Sequence, residues 1–205
     1  MIGTPGDADS VLTVGGINPL TNFHMDFSSY GPTADNRMKP NVCAYAEVIV
    51  AGNNEIHRTQ GTSFAAPLIT GFAACLWQLH PEWTNMQLFR EIESSGSLYP
   101  YYDYAHGFGI PRASSFFKIK EKEIPTISFD ETPENIILRI RDGEFQPNPK
   151  GDYVYLHIED PKGYLTYYQV VQVNNQSPTY IKKTKLKTGH TIRAFYNGYV
   201  ASYIM

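Results

Sequence analysis

Residues 61–67 read Gly61-Thr62-Ser63-Phe64-Ala65-Ala66-Pro67, and the apolar run that continues from them to His80 is long enough for a buried helix. A serine hydroxyl is a weak nucleophile, so it needs a base beside it and a fixed, exposed position. At the mouth of a helix it stands among backbone N–H groups and the positive dipole end, close to where an oxyanion would develop. The preceding glycine leaves room for a substrate backbone, and the small alanines after it let the helix pack deeply. Pro67 fits this reading as a residue of a first helical turn, where its missing N–H would have no partner anyway.

Upstream, Val11-Leu12-Thr13-Val14 is a β-branched run ended by Gly15-Gly16 and reads as a buried strand. Residues 18–41 carry the Asn, Pro, Ser, Gly and Asp of loop chemistry. Val48-Ile49-Val50-Ala51 reads as a strand before a turn at Asn53-Asn54, with Ile56 to Gln60 as the return strand of a hairpin. Downstream, Pro81-Glu82-Trp83-Thr84 ends the first helix and opens a second. Thr84 is its N-cap, and Met86, Leu88, Phe89 and Ile92 recur at helical spacing.

The charged stretch 118–125, ending in Pro125, marks a composition break and the candidate linker. Beyond it the pattern changes to alternation, in Ile136–Ile140, Tyr153–Ile158, Tyr167–Val173 and Thr191–Tyr196. Turn signals separate these runs at Asp142-Gly143, Pro161-Lys162-Gly163 and Asn197-Gly198. Two domains are therefore expected, residues 1–120 with strands and helices and residues 121–205 as an all-β sandwich of the immunoglobulin or fibronectin-III kind.

The string around Ser63 resembles the Gly-Thr-Ser-Met-Ala-Ala-Pro signature of subtilisin-like serine peptidases, the S8 family, with Phe64 in place of methionine. Asp7 to Gly15 is similar to the Asp-Ser-Val-Ile-Ala-Val-Gly strand of that family. Phe27-Ser28-Ser29-Tyr30-Gly31 and Lys39-Pro40-Asn41-Val42 resemble its Phe-Ser-Ser-X-Gly and Lys-Pro-Asp-Val blocks. Pro81-Glu82-Trp83-Thr84 matches its turn after the serine helix, and Tyr104-Ala105-His106-Gly107-Phe108-Gly109 its closing block. The resemblance implies a partial three-layer α/β fold, a parallel sheet with helices. It makes Ser63 the nucleophile, gives the Ser63 N–H as an oxyanion donor, and places Gly61 and Thr62 in the nucleophile loop. It also implies that the catalytic Asp, His and oxyanion Asn lie in an N-terminal part of the same polypeptide, upstream of Met1. This chain alone is then expected to be inactive, and to self-associate through an exposed sheet edge.

Composition and spacing exclude other classes. A formal net charge of −3, without long charge runs, argues against a nucleic-acid groove. No stretch reads as 18 or more consecutive apolar residues, so no membrane span is expected. Cys43 and Cys75 read as two small buried hydrophobes, with a disulfide possible in principle. No spacing matches a metal site and no cofactor is evident. His24 and His57 precede Ser63 but read as loop or surface residues, His80 as a helix-end residue. His106, His157 and His190 show no nearby acid pattern. The Gly-X-Ser elbow of an α/β-hydrolase needs an apolar strand before it, where this chain has Ile56-His57-Arg58-Thr59-Gln60. The expected partner is a peptide or protein substrate, in the extracellular space or cell envelope by resemblance. The alternative is a pseudopeptidase or a binding module acting through the β-domain.

Overall fold

A computed structural model describes residues 1–53, 55–117, 124–141, 152–173 and 177–205. Its contacts divide the chain into two units, Met1–Ile119 and Lys120–Met205. Residues 118–123 of the charged stretch, the Asp142-Gly143 turn signal and Asn54 lie outside the described residues.

Pairing in the first unit begins at Val14 and runs through the two glycines instead of stopping before them. Strand β1 (Val14–Ile17) lies parallel to β2 (Val42–Tyr45), with Val14 opposite Val42 and Ile17 opposite Tyr45. A Cβ on Gly16 would stand 2.8 Å from the Ala46 Cβ and 3.3 Å from the Thr62 Cγ2. Close approach of neighbouring elements therefore outweighs the low strand propensity of glycine at this point. The Gly16 N–H donates to the Ser28 hydroxyl at 2.9 Å, and its carbonyl accepts from the Met25 N–H at 3.0 Å. The long loop is thereby fastened onto the strand that it leaves.

Strands β3 (Glu47–Ala51) and β4 (Ile56–Gln60) form the expected hairpin. It leads into α1 (Thr62–Leu79), followed by α2 (Asn85–Ser94). Thr84 starts α2 with a reciprocal cap. Its hydroxyl accepts the Gln87 N–H at 3.2 Å, and the Gln87 side chain accepts the Thr84 N–H at 2.8 Å. Val42, Ala44, Ala46, Ala65, Ile69, Leu76, Leu88 and Ile92 make the core between the helices and the sheet.

The two helices meet that core differently. α2 buries Leu88 and Ile92 and turns mostly polar residues outward, whereas the longer α1 buries only Ala65, Ile69 and Leu76. Leu68, Trp77 and Leu79 of α1 are exposed. With 18 uncharged residues and a mean hydropathy of 1.3, α1 is long and apolar enough to cross a membrane by length and composition, although Thr62, Ser63, Pro67, Thr70, Gly71 and Gln78 interrupt its apolar run. Cys75 is exposed on the same helix while Cys43 is buried in β2, and both are free. Only Cys43 is thus the buried hydrophobe that was expected.

The second unit has two antiparallel sheets. One has the order β11-β10-β7-β8, from β7 (Asp152–Glu159), β8 (Leu165–Val173), β10 (Thr191–Tyr196) and β11 (Tyr199–Ile204). The other has the order β5-β6-β9, from β5 (Ile127–Glu131), β6 (Asn135–Ile140) and β9 (Thr179–Lys182). Ile127, Ile136, Leu138 and Ile181 from the smaller sheet share one core with Val154, Leu156, Ile158 and Ile192 from the larger. The alternating runs seen in the sequence are β6, β7, β8 and β10, whereas β5, β9 and β11 are additional. β5 and β9 are short and carry Ser, Asp, Glu, Thr and Lys, which hides their alternation. Among the described residues, the chain is mixed α/β with four sheets, and β1–β2 is the parallel pair.

Candidate active site

Ser63 is the second residue of α1 and is exposed. Gly61, immediately before the helix, has φ 153° and ψ 152°, a combination open essentially to glycine. Its N–H donates to the Ala46 carbonyl at 2.8 Å and its own carbonyl accepts from the Phe64 N–H at 3.0 Å. The turn from β4 into α1 is therefore held against the strand segment that leaves β2. No side chain caps the start of α1, so the N–H groups at its mouth have no side-chain acceptor. Thr62 packs its methyl toward Gly16. Together these contacts fix the serine backbone while its side chain faces outward.

Pro67 is placed differently from the sequence expectation. The helix starts at Thr62, so Pro67 is its sixth residue and falls in the second turn. The N–H that the Ser63 carbonyl would receive from position 67 does not exist.

Among the described residues no histidine or acid is hydrogen-bonded to the Ser63 hydroxyl. His57 sits on β4 opposite Val50, exposed, with its ring against Gly52. His24 stacks on Tyr30 with ring centroids 3.8 Å apart. Burial, and then the charge of His106, keep its pKa below the ordinary value. His80 ends α1 and stacks on Trp83 at 4.0 Å, a more specific contact than the expected dipole interaction.

Two histidines expected to lack acid partners have them. The His106 ring Nδ1 lies 3.0 Å from both carboxylate oxygens of Asp103, and the pair is buried. Asp103 also accepts the backbone N–H groups of Ala105 at 2.9 Å and His106 at 2.7 Å. Burial pushes the Asp103 carboxyl upward, but the His106 charge and these hydrogen bonds outweigh it and hold the group below its ordinary value. The Asp103-Tyr104-Ala105-His106 spacing is the signal that sequence reading passed over. His157 Nε2 is 3.0 Å from Glu159, two residues along on one face of β7, and Arg193 joins the same carboxylate at 3.1 Å.

A second buried network lies under the Lys39-Pro40-Asn41-Val42 block. The Lys39 ammonium donates to the Val11 carbonyl and, at 2.9 Å, to the Asn41 side chain. The Asn41 amide then donates to Glu93 of α2 at 2.8 Å. Burial lowers the Lys39 pKa and raises that of Glu93. The closing block locks onto the same segment, with the Phe108 N–H on the Asn41 carbonyl at 2.8 Å and the Cys43 N–H on the Gly109 carbonyl at 3.0 Å.

An exposed serine at an uncapped helix start coincides with a family match. The model of the Peptidase_S8 subtilase family matches residues 1–109. The chain belongs to the subtilase family. Subtilisin NAT of Bacillus subtilis subsp. natto is 33% identical over 96 residues, covering 47% of this chain and 24% of that protein. Subtilisin of Bacillus pumilus is also 33% identical over 96 residues, with 33% of its length covered. Serine protease AprX of Bacillus subtilis strain 168 is 30% identical over 118 residues and 26% of its length is covered. This subtilase chain thus spans about a quarter to a third of the length of the curated relatives it matches. Among its described residues no group of three or more His, Cys, Asp or Glu is placed to hold a metal ion.

Proposed function

We propose that this chain carries the nucleophile of a serine endopeptidase, with Ser63 attacking the carbonyl carbon of a peptide bond. The observation that carries the reading is the exposed Ser63 at the uncapped mouth of α1, set by Gly61 in a glycine-only conformation. In this reading an incoming His takes the hydroxyl proton as the Ser63 Oγ–carbon bond forms, and an Asp orients that His. The Ser63 N–H donates to the oxyanion, with an Asn as second donor. The His then protonates the leaving amine, and water hydrolyses the acyl-enzyme. His, Asp and Asn are assigned to an N-terminal part of the same polypeptide, so the chain alone is inactive.

In the same reading residues 1–120 are the C-terminal part of a three-layer subtilisin-like domain. The exposed Leu68, Trp77 and Leu79 side chains of α1 are covered by the rest of that domain rather than by lipid. Thr62, Ser63, Thr70 and Gln78 on the helix fit a protein environment. Without that cover, the open face and sheet edge favour self-association. Residues 121–205 are a β-sandwich accessory domain, and the protein acts outside the cell or at its envelope.

The test is labelling with a fluorophosphonate, which reacts with activated serines. The chain alone is expected to remain unlabelled, and a longer polypeptide including the upstream residues to be labelled at Ser63 and to cleave casein. Ser63→Ala should reduce both to background. Labelling of Ser63 in the isolated chain would refute the need for an outside base. Cleavage that survives Ser63→Ala would refute the nucleophile.

A further inference from the structure

We infer that the second unit has a binding cleft for an acidic polypeptide segment in extended conformation, independent of the serine site. Its origin is a mismatch between the two sheets. Strand β8 is an edge of the larger sheet, and its register puts Gln169 and Tyr167 on the face that also carries Leu156 and Ile158. The facing sheet ends in β9, only four residues long. Leu156 and Ile158 are buried, yet Tyr167 on the same face remains 44% exposed. The uncovered strip opens as a cleft of about 630 Å³ with Leu156, Ile158 and Ile181 among its walls.

Three features define what would fill it. First, β8 and β9 both line the cleft and both are sheet edges, so among the described residues each has a row of backbone N–H and C=O groups without a neighbouring strand. An extended chain can pair with such an edge while its alternate side chains meet the apolar wall. Secondly, Lys182, Lys185, Lys187 and His190 line the cleft against a single acid, Asp160. The Asp160 carboxylate already accepts the backbone N–H groups of Lys162 and Tyr164. Among the described residues none of the three lysines is in an ion pair, while the neighbouring Lys183 is held by Glu131. Thirdly, His190 is 9% exposed and its Nδ1 is buried without a hydrogen-bond partner. Basic charge selects carboxylates, and the two strand edges select an extended backbone over a sugar chain.

The experiment is fluorescence anisotropy of a labelled alternating Glu-Val peptide titrated with the full chain. Saturable binding is expected, weakened about tenfold or more by the combined substitutions Lys182→Glu, Lys185→Glu and Lys187→Glu. These exposed lysines should leave the melting temperature unchanged. A Lys-Val peptide should not bind, and N-methylation of alternate amides in the Glu-Val peptide should abolish binding. Separately, Tyr167→Ala should weaken the Glu-Val peptide about threefold. The proposal is overturned by absent binding of the Glu-Val peptide, by equal binding to the lysine variant, or by equal binding of the N-methylated peptide. Heparin that binds while the peptide does not would also overturn it, identifying a polysaccharide site.

Discussion

The core of the second unit joins buried residues of both its sheets, whereas α1 of the first unit buries only Ala65, Ile69 and Leu76 and leaves Leu68, Trp77 and Leu79 in solvent. A β-sheet pair can bury its inner faces against each other and be complete. A helix apolar on nearly all sides needs cover on nearly all sides. The contrast teaches that the second unit contains its own core partners, while the first leaves large apolar side chains of its long helix exposed.

The largest expected effect that sharpens this contrast is in the second core. Ile192 is fully buried, and Ile192→Ala should cost about 3–4 kcal/mol in a urea unfolding experiment on the second unit's transition. A loss below about 1 kcal/mol would mean a core that repacks freely, and the contrast would fail.

Next is the buried Asp103–His106 pair of the first unit, where Asp103→Asn should cost about 3 kcal/mol at neutral pH. Asp103 is held below its ordinary value of 3.8, so its stabilisation is present above that pH and is lost as pH falls through the depressed folded value. The difference between wild type and Asp103→Asn should therefore close in acid. A gap that stays constant down to the acid limb would refute the ionic contribution.

A smaller effect is expected at the start of α2, where Thr84→Ala removes a reciprocal cap and should cost about 1 kcal/mol by thermal melting. The smallest is on the open face of α1. Leu68→Gln with Leu79→Gln should change stability by less than about 0.5 kcal/mol while shifting the chain to smaller species in size-exclusion chromatography. A large destabilisation there would show that this face is already packed in solution, and would break the comparison.

Legibility in the sequence followed how local each signal is. The hairpin before α1, the Thr84 cap and four alternating runs each sit within one segment and were readable. The passage of β1 through Gly15-Gly16 was not, because it depends on Ala46 and Thr62, far along the chain. The polar edge strands β5 and β9 carry too few apolar residues to announce themselves. Around the serine, Gly61-Thr62-Ser63 was legible as a motif, while the pairing of Asp103 with His106 needed the turn that folds one onto the other. The uncovered inner face of β8 is a property of two sheets of unequal width, which no single run of residues encodes.

Gly16 has a consequence for variation at this locus. Any single-base change of a glycine codon that alters the residue adds a Cβ, and here that atom would meet the short, immovable Ala46 side chain at 2.8 Å. The neighbouring Thr62 precedes the serine directly, so relief by movement of the helix start would displace Ser63 with it. In a mutational library scored for proteolysis by the whole polypeptide, position 16 should be empty of substitutions although it lies outside the nucleophile motif.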